Sequence, residues 1–116
     1  MDIEQLDQVR AVVKTRWPEM VEAYLEEAAM YIENIKKSIV NDDKQGLASN
    51  AHPLKSSSNS LGIFGLGEIA ETLEYDAKEA IETGADISHL KELTPLLEEA
   101  YKHAEPLLRK TLSDNA

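Results

Sequence analysis

Residues 51–62 read Ala-His-Pro-Leu-Lys-Ser-Ser-Ser-Asn-Ser-Leu-Gly, and they combine the apolar spacing of a helix with residues that usually interrupt one. A proline follows the histidine, and the serine run alone favours a polar loop, because serine side chains compete with helical hydrogen bonds. Against this, apolar or small residues recur at steps of four and three, namely Leu47, Ala51, Leu54, Ser58 and Leu61. This spacing predicts an amphipathic helix in which Ser58 allows close packing.

Four other segments share this helical spacing, and no segment shows the alternation of a β-strand. The predicted helices cover residues 2–16, 18–40, 45–62, 66–83 and 88–112. The breaks between them contain proline, capping residues or glycine, namely Trp17-Pro18, Asn41-Asp42-Asp43, the glycines at 62, 65 and 67, and Gly84. Helices joined by short links favour an all-α fold, an antiparallel up-and-down bundle.

Three prolines lie inside these helical patterns, at Pro53, Pro95 and Pro106. Each lacks a backbone donor and should kink or restart its helix. We expect Pro53 in particular to produce a kink or a widened turn over residues 49–52 and so to alter the backbone beside His52.

Composition narrows the class of protein. The 116 residues suit one domain, residues 1–116, and the formal net charge of −10 makes nucleic acid and anionic membranes poor partners. The absence of cysteine excludes disulfides, thiolate zinc sites and cysteine nucleophiles. No apolar run approaches the roughly 18 residues of a membrane span, and the acidic N-terminus is unlike a signal peptide, so we expect a soluble cytoplasmic protein.

A polar face surrounds His52 on the predicted helix. At about 100° per residue, His52 lies opposite the apolar stripe. The residues within about 60° of it are polar or small, namely Gln45, Ala48, Lys55, Ser56 and Asn59. An imidazole is nucleophilic at one nitrogen when the other holds the proton, and an ammonium one turn away could neutralise a phosphoryl group. This face suits phosphate acceptance on His52, with Ser56 small enough to leave access; the alternative is an idle surface histidine.

Other chemistry is less well supported. A serine hydrolase needs an oriented base, which a serine beside a histidine within one helix does not supply. No carboxylate lies three or four residues from His52, and no metal-ligand spacing is present, so no metal or cofactor site is predicted in the chain. His89 and His103 have no comparable surroundings and are predicted to be ordinary surface residues.

The motif Ala51-His52-x-Leu54-Lys55-Ser56-Ser57, with Gly62 ten positions after the histidine and Leu73-Glu74 later, resembles the histidine-containing phosphotransfer (HPt) domain of bacterial phosphorelays. The resemblance implies a four-helix bundle with an additional N-terminal helix packed across one end. It implies that His52 is phosphorylated, that Lys55 stabilises the phosphoryl group and that Gly62 keeps the docking surface low. It also implies that Glu74 bonds the other imidazole nitrogen, although a surface pair of Glu74 with Lys78 is the alternative.

The resemblance further implies a phosphorelay intermediate that exchanges a phosphoryl group with receiver domains of response regulators and of a hybrid histidine kinase. Mg²⁺ is expected on the receiver, and autokinase activity is not expected, because the sequence has no glycine-rich nucleotide loop of the Walker type. The expected docking residues are Ala48, Asn59, Gly62, Ile63, Phe64 and Lys78. The chief alternative is a helical adaptor or inhibitor without chemistry. A monomer is expected, with a dimeric phosphotransferase as the related possibility.

Overall fold

The computed structural model describes residues 1–114, with side chains as far as Leu112. Within this range the chain forms five α-helices and two short 3-10 segments, at Lys14–Arg16 and Ser88–Leu93. The helices are α1 (Ile3–Val13), α2 (Trp17–Val40), α3 (Lys44–Ser60), α4 (Phe64–Thr83) and α5 (Thr94–Asp114). None of these helices combines the length and the apolar character that a membrane span requires.

Helices α2 to α5 form an antiparallel bundle, as the apolar spacing predicted. Early residues of one helix meet late residues of the next. Tyr24 on α2 bonds Ser58 on α3, and Arg109 near the end of α5 pairs with Glu22 near the start of α2. The buried faces meet in one core of leucine, isoleucine, valine and alanine side chains with Trp17 at one end. The predicted bundle with an additional N-terminal helix is confirmed.

The serine run belongs to α3, and three of its four hydroxyls have partners that are compatible with a helix. Ser58 is fully buried and shares a 2.7 Å hydrogen bond with the Tyr24 hydroxyl. Ser57 and Ser60 donate to carbonyl oxygens four residues earlier, those of Pro53 and Ser56, at 2.9 Å. Since the hydroxyls of Ser57 and Ser60 bond carbonyls of α3 itself and that of Ser58 bonds α2, these side chains no longer favour a loop.

Pro53 does not widen the helix. Residues 49–52 remain α-helical within the uninterrupted span of α3, so the widened turn expected there is wrong. One lost hydrogen bond is tolerable because Ser49 is exposed and water can reach its carbonyl, while Ala51 and Leu54 stay buried on either side. The proline at 106 likewise lies inside its helix, whereas Pro95 is the second residue of α5, where a helix start accommodates it.

Helix α1 lies across the end of the bundle where α3 turns into α4. The Asp2 amide donates to the Gly62 carbonyl at 2.7 Å, and Gln5 reaches the Ser60 carbonyl at 3.2 Å. At the other end of α1, the indole nitrogen of Trp17 donates to the Thr111 hydroxyl at 2.8 Å, which ties the start of α2 to the last turns of α5. This end of the molecule is therefore closed by the N-terminal helix.

Gly62 is essential to the turn from α3 to α4, and this gives a testable prediction. Its φ of +80° is a left-handed conformation, and an added Cβ would lie 2.8 Å from the Asp2 carbonyl oxygen and 2.9 Å from the Gln5 Cβ. We expect Gly62→Ala to lower the free energy of unfolding by about 2 kcal/mol in chemical denaturation. Gly65→Ala is the matched control, since nothing lies within 4 Å of its Cβ position. Equal stability of the two variants would contradict this account.

Candidate functional site

His52 projects from the middle of α3 into solvent, with 61% of its side chain exposed. Helix α3 packs closely along α4, because small residues line the contact: Ala51 and Ala70 are buried, and a Cβ on Gly67 would overlap the Asn59 side chain. The antiparallel arrangement places Glu74 of α4 directly beside His52 of α3. The separation of 22 residues between them is therefore bridged by packing of the two helices.

Glu74 is the centre of the site. Its side chain is only 6% exposed, yet its carboxylate contacts three basic groups. Oε2 lies 2.7 Å from His52 Nδ1 and 3.1 Å from Lys78 Nζ, and Oε1 lies 2.7 Å from Lys55 Nζ. Glu74 thus connects two residues of α3 with one residue of its own helix, α4.

The cations keep Glu74 ionised. Burial by itself would raise the pKa of this carboxyl group, but the hydrogen bonds from Lys55, Lys78 and His52 outweigh burial and lower the pKa from 4.5 to about 2. The same contact with Glu74 raises the pKa of Lys55. At neutral pH the site therefore holds a carboxylate and an ammonium in direct contact.

This ionisation state fixes the protons of His52. An ionised carboxylate can only accept hydrogen bonds, so the Nδ1 atom that faces Glu74 must carry a proton. The other ring nitrogen, Nε2, then has a free lone pair when the ring is neutral. Because the side chain is largely exposed, Nε2 is available to an electrophile on a macromolecular partner. The geometry therefore presents an oriented nitrogen nucleophile with two ammonium groups nearby.

The lowered pKa of Glu74 predicts an acid-dependent contribution to stability. A carboxyl group whose pKa is lower in the folded state stabilises the fold above its unfolded pKa, and this contribution disappears as the pH falls. For Glu74 the loss occurs between pH 4.5 and about pH 2. We expect the free energy of unfolding to fall more in this range for the wild type than for Glu74→Gln. Parallel curves for the two proteins would contradict the assignment.

The other predicted site residues are distributed around this network. Ser56 is exposed one turn after His52 and is not part of the hydrogen-bonded group. Ala48 and Asn59 are half-buried on the same helix, and Phe64 is 46% exposed at the start of α4. Lys78 is 64% exposed and borders the site through its contact with Glu74. The other two histidines, at 89 and 103, are exposed.

Two of the predicted docking residues lie inside the fold. Ile63 is 3% exposed and belongs to the core, so its side chain cannot meet a partner. Gly62 is covered by Asp2 and Gln5 of the N-terminal segment, and its role is the left-handed turn. Both residues were expected at the docking surface because they follow the motif in the sequence. The structure instead covers Gly62 with the N-terminal segment and buries Ile63 in the core.

A shallow depression beside the network was missed by sequence reasoning. It has a volume of about 410 Å³ and lies along one flank of α4, bordered by Lys55, Glu71, Thr72, Glu74, Tyr75 and Lys78. Residues 71, 74, 75 and 78 follow one another at helical intervals of three, one and three, so a helical projection centred on Glu74 could have indicated it. The proximity of Lys55 depends on how α3 packs against α4.

Comparison with known proteins identifies the family. The sequence model of the Hpt domain matches residues 19–107, which include His52, Lys55 and Glu74 and exclude α1. No curated protein and no solved structure matches the chain significantly. Hpt domains are helical bundles that carry out histidine phosphotransfer in phosphorelays, in agreement with the bundle and the oriented imidazole. The match covers well over half of the chain, and this protein therefore belongs to the Hpt domain family.

Proposed function

We propose that this chain is a phosphorelay intermediate in which His52 accepts a phosphoryl group from the aspartate of one receiver domain and passes it to the aspartate of another. The observation that carries the proposal is the 2.7 Å contact between His52 Nδ1 and the buried carboxylate of Glu74, which orients an exposed imidazole with Nε2 outward. The family match supports histidine phosphotransfer in general. The residue and the direction of attack are proposed from the geometry.

The transfer step balances without an external base. The Nε2 lone pair of His52 attacks phosphorus, an N–P bond forms, and the P–O bond to the aspartate breaks to release its carboxylate. The Nδ1 proton remains on the ring, which gains positive charge as the N–P bond forms. Glu74 accepts the hydrogen bond from that proton and stabilises the charge. The reverse step restores the same tautomer, so transfer can proceed in either direction.

Positive charge for the phosphoryl group comes from Lys55. It lies one turn from His52 on the same helix, and its side chain is still 27% exposed while it contacts Glu74. Mg²⁺ and the acidic residues that bind it are assigned to the receiver domain. Catalysis at the joint site would consist mainly of positioning and charge stabilisation. The chain is proposed to act as a carrier without autokinase activity.

The docking surface is proposed to be the exposed face around His52. It comprises Ala48, Ser56, Asn59, Phe64 and Lys78, with Phe64 as the large apolar side chain at its edge. Gly62 and Ile63 are not included because they are covered. Charged groups at such a rim affect partner choice and the rate of association more than affinity.

Phosphoryl transfer from labelled receiver domains tests the proposal. The purified chain is mixed with receivers that carry radiolabelled phosphate in the presence of Mg²⁺, and label on the denatured chain is followed. We expect acid-labile, base-stable label, which is the behaviour of phosphohistidine. A stable complex with a receiver but no transferred label would favour a binding adaptor instead. Separately, sedimentation would distinguish the expected monomer from a dimer.

A further inference from the structure

Lys78 contacts Glu74 in a way that the transfer step does not require. Its ammonium shares Oε2 with the imidazole, at 3.1 Å, whereas Lys55 holds Oε1 at 2.7 Å. Glu74 is 6% exposed, so its charge is sheltered from water and depends on these partners. Two lysines and the imidazole N–H therefore surround one buried carboxylate.

Phosphorylation changes the balance among these charges. A phosphoryl group on His52 Nε2 places negative charge within one helical turn of Lys55, and this charge competes with Glu74 for the same ammonium. If Lys55 turned toward the phosphoryl group without a substitute, the buried carboxylate would lose its ammonium partner and retain only the imidazole ring, whose positive charge is then also neutralised by the phosphoryl group. Removing one partner of a buried charge is strongly unfavourable. Lys78 is already in place as that substitute.

We infer that Lys78 is a positioning residue that holds the charge of Glu74 and thereby releases Lys55 to bind the phosphoryl group on His52. The inference rests on the proposed function and assigns to Lys78 a role separate from docking. Lys55 is the group that contacts the phosphoryl oxygens. Lys78 acts through Glu74, and its effect should therefore depend on the presence of Lys55.

The lifetime of the phosphorylated chain without a receiver tests this role. Wild type and variants are phosphorylated with phosphoramidate, a small donor whose P–N bond breaks to release ammonia, and the loss of label is followed after the donor is removed. We expect Lys78→Met to shorten the lifetime of the phosphohistidine roughly fivefold and Lys78→Arg to restore it. Lys102→Met, an exposed lysine on α5, is the matched control and should leave the lifetime unchanged.

A double variant shows whether Lys78 affects the lifetime of the phosphohistidine through Lys55 or directly. In a Lys55→Met background, Lys78→Met should produce no further shortening. The side-chain ¹⁵N signal of Lys55 should shift on phosphorylation of the wild type and remain in place in Lys78→Met, while the ¹⁵N signals of unphosphorylated His52 still report a proton on Nδ1 in both proteins.

Three results would overturn the inference. The first is an unchanged lifetime of the phosphohistidine in Lys78→Met. The second is a lifetime that Lys78→Met shortens as much in the Lys55→Met background as in the wild type. The third is a Lys55 ¹⁵N signal that still shifts on phosphorylation in Lys78→Met. The proposed function itself fails by a different result, which is the absence of label on wild-type His52 from both phosphoramidate and receivers. The two failures are therefore distinguishable.

Discussion

His52→Gln should abolish phosphoryl acceptance and leave the fold intact. Glutamine has no nitrogen nucleophile, so the N–P bond cannot form, and label from a charged receiver should fall to background. The free energy of unfolding should change by no more than about 1 kcal/mol, because the side chain is largely exposed and Glu74 keeps both lysines. Transfer assays and chemical denaturation on the same preparation measure the two quantities.

The other histidines supply the matched controls for this prediction. His89 and His103 are exposed like His52, but their positions do not match the family motif. His89→Gln and His103→Gln should accept phosphate at the wild-type rate. Label that persists in His52→Gln and disappears in one of these variants would show that the phosphoacceptor had been assigned to the wrong residue.

Glu74→Ala should have the second largest effect, a decrease of about 10- to 100-fold in the rate of phosphoryl acceptance. Without the carboxylate, the Nδ1–H of His52 loses its acceptor, and the imidazole is no longer held with Nε2 outward. Lys55 also loses its hydrogen-bonded partner beside His52. Single-turnover transfer from a labelled receiver measures the rate, and circular dichroism establishes that the bundle remains folded.

Glu74→Gln distinguishes the two roles of this residue, which are to orient the His52 ring and to pair with the two lysines. The amide oxygen can still accept a hydrogen bond from His52 Nδ1, but the neutral group cannot pair with two ammonium ions. We expect Glu74→Gln to retain most of the rate that Glu74→Ala loses. If both variants are equally slow, the negative charge on Glu74 matters more than the orientation of the ring. If both are as fast as wild type, Glu74 has no part in transfer.

The helices and the candidate phosphoacceptor, His52, could be predicted from the sequence by itself. Apolar residues at steps of three and four defined the buried face of α3, and His52 had to lie opposite that face whatever the helix packed against. Asp43 as a capping residue and Gly84 in a left-handed conformation marked helix ends through local hydrogen bonding and steric freedom. These features depend on residues that are close together in the chain, so they can be inferred from the sequence without knowledge of the tertiary structure.

The ionisation of Glu74 and the orientation of His52 depend on the tertiary structure. Two interpretations of Glu74 were open from the sequence, a surface pair with Lys78 and a partner of His52. The pair with Lys78 lies within α4, whereas the contacts with His52 and Lys55 exist because α3 packs closely on α4. Hydrogen bonds from three basic groups outweigh the effect of burial and lower the pKa of that carboxylate, and its ionised state fixes the Nδ1 proton of His52. Such burial depends on the distance between helices, which no local pattern specifies.

Tertiary packing also decided where a partner could dock and how the helix tolerates proline. Ile63 and Gly62 follow the motif closely in sequence, yet α1 and the core cover them. A widened turn was expected beside Pro53, but residues 49–52 stay α-helical within α3, with buried residues on either side of the proline. The sequence indicated which residues are candidates for the chemistry, and contacts between distant segments determined which of them are exposed, charged and oriented.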